Sequence, residues 1–316
     1  MKTYLLSHPS GITATVSDFG ATLRTLSTAD QHGRFENILV GFENPEDWAD
    51  NEFFFGVTVG RFANRIANGT FTLNGVTHKL ETNDSPNHLH GGINGFDKAL
   101  WETEFVSDEC VRFAYLSPDG EEGFPGNLKV TVEYSLGEDF LKWKATATTD
   151  KATPVSLTNH AYFNLTGTPS ESVLDHVLNV KASKYLPLNE NCVPSGDIAE
   201  VAGTAFDFTN PQTIGHNLAK SACSFDHNFV LDGAQESRVA AIATDPKSGR
   251  VLELSTNHPG LQFYLDSPFG NPTSAFCLEP QHFPDSPNIS HFPSPILQPG
   301  DTYHHEITLR FPKAEA

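Results

Sequence analysis

Residues 128–147 read LKVTVEYSLGEDFLKWKATA, and this stretch decides the fold class. Every second residue is apolar before the Gly137-Glu138-Asp139 segment, and the same alternation resumes after it. The apolar positions are Leu128, Val130, Val132, Tyr134 and Leu136, then Leu141, Trp143, Ala145 and Ala147. Alternation with a period of two indicates a strand with one buried face. The stretch therefore predicts two antiparallel strands joined by a tight turn.

The same alternation recurs in the last part of the chain. Its apolar positions there are Leu261, Phe263 and Leu265 in one run and Ile307, Leu309 and Phe311 in another. The chain also contains 24 glycines and 21 prolines, which interrupt the pattern at short intervals and favour turns. Many short strands at close spacing predict an all-β sandwich rather than a parallel α/β sheet.

Helical patterns are nearly absent. We expect a helical turn near residues 45–51 and a short helix near residues 210–219, with Asn210 as its N-cap and Pro211 in its first position. No internal repeat, low-complexity segment or linker divides the sequence. We therefore expect one β domain over residues 1–316.

The charge balance limits the classes of partner. The chain has 20 Lys and Arg residues against 39 Asp and Glu residues, which gives a formal net charge of −19. Such a charge repels nucleic-acid phosphates and anionic membrane surfaces, so we expect neither as a partner. A neutral or cationic small ligand is favoured.

Cysteine usage and hydropathy indicate the compartment. Cys110, Cys192, Cys223 and Cys277 are far apart in sequence, and we interpret them as reduced thiols. The first residues include no apolar run of the kind found in a signal peptide, and no stretch approaches the about 18 apolar residues of a membrane span. We expect a cytoplasmic protein.

Two arginines occur four residues apart in GRFANRI at 60–66. Surface ion pairs are the ordinary use of Arg61 and Arg65 in an acidic protein. The alternative is that a planar arginine guanidinium donates hydrogen bonds to hydroxyl or carboxylate oxygens of a ligand, with Asn64 beside it.

Two histidines occur in NHLHGG at 87–92. In an extended segment His88 and His90 would point the same way, as paired metal ligands do. No carboxylate follows within residues 93–96, so a histidine in a sugar pocket is the preferred interpretation. The glycine pair at 91–92 would let the backbone approach a ligand closely.

Polar residues are also crowded in TNHAYFNL at 158–165, where His160 is either a hydrogen-bonded core residue or part of a polar pocket. Asp226, flanked by aromatic residues, could accept hydrogen bonds from a polyol or cap a turn. Glu279 ends an apolar run, and Pro280 forces it into extended geometry. Such a carboxylate is usually solvated, but apolar neighbours could raise its pKa and make it a base.

Together and in this order, these segments resemble the aldose 1-epimerase (mutarotase) family. The matching stretches are GRFANRI at 60–66, NHLHGG at 87–92, GFDKALW at 95–101, TNHAYFNL at 158–165, FDHNF at 225–229 and LEPQHFPDSPN at 278–288. The resemblance covers most of the chain. It implies a large twisted β-sandwich, the mutarotase-like supersandwich, in agreement with the alternation.

The resemblance also implies an activity, the exchange of α and β anomers of free aldohexoses such as galactose and glucose by ring opening and reclosure. Glu279 matches the general base that removes the C1-hydroxyl proton, and His160 matches the general acid that protonates the ring oxygen. His90 matches a histidine that assists at that oxygen. The implied substrate-binding residues are Asn64, Arg65, Asp226 and Gln262. The resemblance implies no metal and no organic cofactor, and gives His88 no role beyond lining the pocket.

The chemistry explains these residue types. Ring opening takes a proton from O1 and gives one to O5, which a carboxylate and an imidazolium can do together. Because Glu279 must be ionised while His160 is protonated, we expect a bell-shaped dependence of activity on pH.

Three other functions fit parts of the pattern. A glycosidase would use Asp226 and Glu279 as paired carboxylates, and would leave His160 without a clear role. A hexose-6-phosphate epimerase would need extra cations for the phosphate, and no cluster beyond Arg61 and Arg65 offers them. A non-catalytic sugar-binding module would lack the acid or the base. The sequence leaves open which sugar is preferred and whether the protein is a monomer or a homodimer.

Overall fold

The computed structural model describes residues 1–233, 237–267 and 271–312. Within these ranges the chain consists mostly of short β-strands, numbered here from β1 to β28. Those before residue 150 are β1 (Thr3–Ser7), β2 (Thr13–Ser17), β3 (Thr22–Ala29), β4 (Phe35–Asn37), β5 (Leu39–Val40), β6 (Thr58–Val59), β7 (Arg65–Ile66), β8 (Thr70–Leu73), β9 (Val76–Lys79), β10 (His88–Leu89), β11 (Glu102–Val106), β12 (Cys110–Ser117), β13 (Leu128–Leu136) and β14 (Phe140–Thr149). Those after it are β15 (Thr153–Pro154), β16 (Thr158–Asn159), β17 (Tyr162–Phe163), β18 (Val177–Val180), β19 (Lys184–Tyr185), β20 (Ala199–Glu200), β21 (Gln212–Thr213), β22 (Asp226–Val230), β23 (Arg238–Thr244), β24 (Val251–Thr256), β25 (Gly260–Leu265), β26 (Phe276–Gln281), β27 (Ile296–Leu297) and β28 (Tyr303–Arg310).

The largest sheet formed by the described residues has nine antiparallel strands, in the order β11-β12-β13-β14-β28-β24-β23-β18-β21. The predicted hairpin lies near its centre as β13 and β14, with Tyr134 opposite Trp143. All nine apolar positions of the alternation are buried. In β28 the predicted Ile307 and Leu309 are buried too, whereas Phe311 lies just past the strand and is partly buried.

A second antiparallel sheet has seven strands within the described ranges, in the order β20-β19-β22-β25-β26-β17-β5. It packs against the nine-stranded sheet: Val132 and Trp143 of one sheet belong to the same buried cluster as Phe263 and Leu278 of the other. Strands β1 to β4 form a further sheet that contributes Leu6 to this cluster. The all-β sandwich is confirmed.

Helices are few and short. The described residues include four 3₁₀ turns, at Asp47–Asp50, Ala67–Gly69, Phe96–Lys98 and Glu121–Gly123, and the α-helix α1, Ile214–Leu218. Helix α1 begins later than expected, because the Thr213 side chain caps it by accepting a hydrogen bond from the His216 N–H. Asn210 and Pro211 were therefore wrong as its N-cap and first residue. No described helix combines the length with the hydrophobicity that a membrane crossing requires.

The two faces of the seven-stranded sheet differ in chemistry. Phe263 of β25 and Leu278 of β26 pair on the face that packs into the core. Gln262 and Glu279, the residues just before and just after them, also pair across the two strands and must point to the other face. Both are nevertheless buried. A polar, covered sheet face of this kind is where the candidate site lies.

Candidate active site

Three neighbouring strands place a row of polar side chains on that face. Glu279 of β26 lies opposite Gln262 of β25, which in turn lies opposite Asn228 of β22. Two residues earlier along β22, Asp226 shares the face of Asn228. The Gln262 side-chain amide donates a 2.6 Å hydrogen bond to one oxygen of Asp226. The strand registers thus bring together three of the predicted site residues, which are far apart in sequence.

Glu279 lies inside β26 rather than at its end, because the strand continues through Pro280, which pairs with Leu261, to Gln281. Its side chain is 2% exposed, and its Oε2 atom accepts no hydrogen bond from the described residues. Burial, reinforced by the charge of Asp226, raises the pKa of Glu279 well above its usual range. A buried carboxyl with a free acceptor atom is costly for folding, which is typical of a functional group.

His160 faces this carboxyl. It follows β16, and its Nε2 atom is 3.7 Å from Oε2 of Glu279. The imidazole is nearly parallel to the ring of Tyr162, at 5.0 Å between centroids, and to that of Phe54, at 6.0 Å. Burial lowers the pKa of His160 to about 4. The aromatic contacts restrict the ring, so that Nε2 and the carboxyl are directed at the same small volume.

His90 completes the group, with its ring edge-on to that of His160 at 5.2 Å. Its Nδ1 atom accepts a 3.2 Å hydrogen bond from the Asn64 backbone N–H. Burial, with the nearby charges of His160 and Arg65, lowers the pKa of His90 well below its usual value. A neutral imidazole that accepts at Nδ1 carries its proton on Nε2, so His90 can act as a hydrogen-bond donor.

His88 and His90 do not point the same way. Strand β10 ends at Leu89, and His90 has a positive φ of 53°, so the extended geometry that the expectation required is lost. The His88 ring lies apart from the site, with Nδ1 2.7 Å from the Glu81 carbonyl oxygen and its edge against Phe124.

The glycine pair also serves the fold. A Cβ on Gly91 would lie 1.7 Å from the carbonyl oxygen of Gly60, and one on Gly92 would lie 2.1 Å from the Glu122 carboxylate. Both glycines therefore permit close approach to other parts of the chain, not to a ligand. The tight Gly91 contact fixes the loop that carries His90.

Arg65 reaches the site through ion pairs. Its guanidinium contacts Asp84 at 2.7 Å and Asp226 at 3.4 Å. Burial opposes its charge, but these two carboxylates outweigh that effect and raise the pKa of Arg65. Asn64 is beside it with its side-chain oxygen 2.8 Å from the Arg65 backbone N–H. Arg65 thus lies next to Asp226 and Asn64 next to His90, and the substrate-binding roles that the resemblance implies for them remain predictions.

Arg61 does neither of the things expected from the sequence. Its guanidinium is buried and donates to the carbonyl oxygens of Pro125 and Gly126, and to the hydroxyl of Ser117. The Arg61 guanidinium therefore forms no ion pair at the surface with any described residue, and it does not face the candidate site. Its role is to satisfy backbone carbonyls in the loops around the site.

Asn159 and Asn164 are likewise structural. The Asn159 amide donates to the Gly56 carbonyl and to the Tyr134 hydroxyl, and the Asn164 amide donates to three backbone carbonyls. His160, from the same stretch at 158–165, instead lies 3.7 Å from the Glu279 carboxyl.

The same residues could in principle hold a metal ion. His90, His160 and Glu279 form the group among the described residues whose ligand atoms all lie within 4.8 Å of one another. Two imidazoles and a carboxylate are a known ligand set for zinc, which requires each donor atom at about 2.0–2.2 Å from the ion. The absence of a metal from the reaction remains a prediction.

Four residues of the site received no role in the sequence analysis. Phe54 stacks on His160 and packs at a tilt against His90, and Asn228, Cys277 and Gln281 share the polar sheet face. In a strand, residues two positions before and after Glu279 lie on the same face as Glu279. The strand pattern could therefore have identified Cys277 and Gln281 as residues of the site. Phe54 gave no such signal, because it lies in an irregular segment with a positive φ of 59°.

Comparison with known proteins identifies the family. A family model described as aldose 1-epimerase matches residues 2–310. The chain belongs to the aldose 1-epimerase family. It is therefore an epimerase, an enzyme of the isomerase class.

Other members of the aldose 1-epimerase family show the extent of the similarity. The chain is 45% identical to galactose mutarotase from Bos taurus over 310 residues, which cover 94% of this chain and 90% of that protein. It is 37% identical to aldose 1-epimerase from Escherichia coli (strain K12) over 325 residues, with 97% and 94% covered.

Solved structures agree with the fold. The GalM/aldose epimerase homologue from C. elegans superposes with a TM-score of 0.93 at 30% identity and covers 99% of both chains. Galactose 1-epimerase from Lactobacillus acidophilus NCFM gives a TM-score of 0.85 at 29% identity, with both chains fully covered at 100%. The supersandwich implied by the resemblance is confirmed.

Proposed function

We propose that this epimerase interconverts the α and β anomers of free aldohexoses, with galactose among its substrates, by general acid and base catalysis at Glu279 and His160. One observation carries the assignment of the two residues. The distance between Glu279 Oε2 and His160 Nε2 is 3.7 Å in a buried site, which supports roles for the two residues as base and acid on neighbouring atoms. The reaction requires this closeness, since the hydroxyl oxygen O1 and the ring oxygen O5 are bonded to the same carbon.

The reaction then proceeds with balanced protons. Glu279 takes the proton of the C1 hydroxyl while His160 gives a proton to O5, the C1–O5 bond breaks, and an open-chain aldehyde forms. After rotation about C1–C2, O5 attacks the other face of the aldehyde. His160 recovers its proton from O5, and Glu279 returns its proton to O1.

The lowered pKa of His160 and the raised pKa of Glu279 fit this cycle. Burial favours the uncharged forms of both groups, a carboxyl and a neutral imidazole. This state holds the same number of protons as the carboxylate and imidazolium that catalysis needs, so a proton transfer within the pair suffices. If the pair takes up a second proton, Glu279 can no longer act as a base. If the pair loses its single proton, His160 can no longer act as an acid. Activity therefore has an acid limb and an alkaline limb.

The surrounding residues are proposed to hold the sugar. His90 offers an Nε2–H donor beside His160 and would stabilise negative charge that develops on the ring oxygen. Asp226 is partly exposed and offers acceptor oxygens, while Arg65 and Gln262 fix its orientation. Asn64 lies against both Arg65 and His90. Polar side chains of this kind recognise sugar hydroxyls by donating to and accepting from them.

The setting of the enzyme is part of the proposal. We expect a single domain that acts on the free sugar in the cytoplasm, as a monomer or homodimer, without nucleic acid or membrane as a partner. The four cysteines are free thiols, with Cys192 and Cys223 exposed, which suits a reducing compartment.

Polarimetry on freshly dissolved α-D-galactose tests the proposal. We expect the wild type to accelerate the decay of optical rotation, and Glu279→Gln to lower kcat by about 10³-fold or more because the amide cannot accept the proton. Glu253→Gln on β24, outside the site, is the matched control and should leave kcat unchanged.

Other outcomes identify the alternatives. Galactose binding without acceleration by the wild type would indicate a sugar-binding module. Release of the aglycone from an aryl galactoside would indicate a glycosidase, and faster turnover of glucose 6-phosphate than of free sugar would indicate a phosphate-specific epimerase. The assay is repeated with EDTA, since a metal held by His90, His160 and Glu279 would make the activity sensitive to the chelator.

A further inference from the structure

The edge of the His160 ring opposite Glu279 contacts a thiol. The sulfur of Cys277 lies 3.6 Å from Nδ1 of His160, within hydrogen-bond distance for sulfur. Cys277 is fully buried and precedes Glu279 by two residues on β26, so both side chains point to the same sheet face. One strand thus contacts both nitrogen atoms of the imidazole, the base at Nε2 and the thiol at Nδ1.

A thiol differs from the usual partner of a catalytic histidine. A carboxylate at Nδ1 accepts a hydrogen bond, fixes one tautomer and stabilises the imidazolium, which makes the ring a stronger base. A thiol is a weak donor through S–H and a weak acceptor through sulfur. It can therefore pair with Nδ1 whether that nitrogen is bare or protonated, and it favours neither state strongly.

We propose that Cys277 is a positioning residue that holds the His160 imidazole in place in both of its protonation states. This inference rests on the function proposed above. When His160 has given its Nε2 proton to the sugar, the neutral ring keeps its proton on Nδ1, which donates to the sulfur, and Nε2 is free to take the proton back. When His160 is an imidazolium, Nδ1–H donates to the sulfur, and Nε2–H stays directed at the ring oxygen.

The surroundings keep the sulfur in its thiol form. Burial, with the charges of Glu279 and Asp226, raises the pKa of Cys277 well above its usual value. The other titratable groups facing the His160 ring are His90 edge-on and the phenols of Tyr162 and Tyr264. A thiolate would hold the imidazolium as an ion pair and resist proton transfer to the sugar. A thiol leaves that proton available.

The test uses three substitutions of Cys277 in the full chain. Cys277→Ser keeps a group that both donates and accepts, Cys277→Val fills the space without hydrogen bonding, and Cys277→Ala removes both. We expect the serine variant to stay within about threefold of the wild-type kcat. The valine and alanine variants should each lose about tenfold in kcat, with KM within about twofold, because the hydrogen bond that orients the His160 ring is lost.

Further readouts separate positioning from packing. The ¹⁵N chemical shifts of the His160 ring distinguish its tautomers, and we expect a mixture in the valine variant where the wild type and serine variant show one. The pH profile of kcat should also change in the valine variant and not in the serine variant. Thermal unfolding identifies any variant that fails to fold. If the alanine variant does not fold, the comparison of the serine and valine variants still tests whether hydrogen bonding by residue 277 matters.

Two results would overturn the inference. Full activity of Cys277→Val would show that the sulfur only fills space. Equal losses in Cys277→Ser and Cys277→Val, with unchanged pH profiles, would show that hydrogen bonding at Nδ1 does not matter. An inactive wild type would instead overturn the proposed function, so the two failures are distinguishable.

Discussion

Two groups of buried histidines can be compared in this protein. His90 and His160 lie beside Glu279. In the second group, His258 lies between β24 and β25, His282 follows β26, and His305 lies within β28. In the second group the rings of His258 and His305 stack at 3.5 Å, and His282 lies edge-on to His258 at 5.0 Å. Burial lowers the pKa of every histidine in both groups.

The groups differ in what their polar atoms contact. In the second, His305 bonds to the Leu157 carbonyl and the Thr256 hydroxyl, and His258 bonds to the Tyr303 hydroxyl, all at 3.0 Å or less. Nδ1 of His282 has no partner among the described residues. In the first, the Glu279 carboxyl keeps an acceptor without a partner among the described residues. A lowered pKa alone therefore does not identify a catalytic histidine. The neighbouring carboxyl with a free acceptor is the observation that supports the catalytic role proposed for His160.

The largest expected difference between the groups is in catalysis. His160→Gln should lower kcat by about 10³-fold, because the acid is lost, whereas His305→Gln should leave kcat per folded molecule within about threefold. The His305 variant should instead have the lower melting temperature, since it disturbs two satisfied hydrogen bonds in the core. Polarimetry and calorimetry on both proteins measure these effects. A large loss of kcat in the folded His305 variant would contradict the distinction.

The second prediction concerns pH. The folded protein keeps His305 neutral down to a pKa of about 3, while the same residue in the unfolded chain takes up a proton near its ordinary value of 6.5. Stability contributed by the neutral ring is therefore lost as the pH falls below about 6.5. The loss at pH 5 is about 2 kcal/mol for one such residue. We expect the free energy of unfolding to fall from pH 7 to pH 5, and to fall less in His305→Gln.

Activity should follow a different course over the same range. The proposed catalytic pair, Glu279 and His160, takes up its second proton only near the lowered pKa of His160, about 4. We therefore expect kcat to change little between pH 7 and pH 5 while stability decreases. Urea unfolding and polarimetry at matched pH values test this, and parallel losses of kcat and stability would show that the two groups are not independent.

The smallest effect is expected at His88. His88→Asn should change kcat by less than about twofold, because the ring contacts the Glu81 carbonyl and Phe124 and lies apart from Glu279. His90→Asn should lower kcat by about tenfold or more, through loss of the donor beside His160. Polarimetry on both variants tests this. Similar losses in the two would mean that the loop as a whole, rather than His90, supports catalysis.

The strand patterns predicted more of the fold than of the site. Alternation at 128–147 depends on one buried face of a strand, so it predicted β13 and β14 and their burial correctly. The local sequence predicted the wrong first residue for helix α1, because the helix begins where β21 ends and Thr213 caps it. Which strands become neighbours depends on the whole chain, so the pairing of Gln262 with Glu279 was not predictable from either segment.

The functional assignments had a different source. The residues grouped around Glu279 were named from the family resemblance, and the structure brings them together. Local reasoning failed where the backbone departs from extended geometry, as at His90, or where a polar side chain serves buried carbonyls, as at Arg61. Arg61 and Arg65 are four residues apart and of one type. Only the tertiary structure shows that one supports loops and the other faces Asp226.

Because the candidate site is formed by one face of a β-sheet, insertions and deletions within its strands should be poorly tolerated. Core side chains and site side chains alternate along β26, with Phe276 and Leu278 on one face and Cys277 and Glu279 on the other. One residue gained or lost before Cys277 would turn the carboxylate into the sandwich and a hydrophobic side chain into the candidate active site. Functional length variants of this enzyme should therefore keep β26 at constant length and place their changes in the surrounding loops.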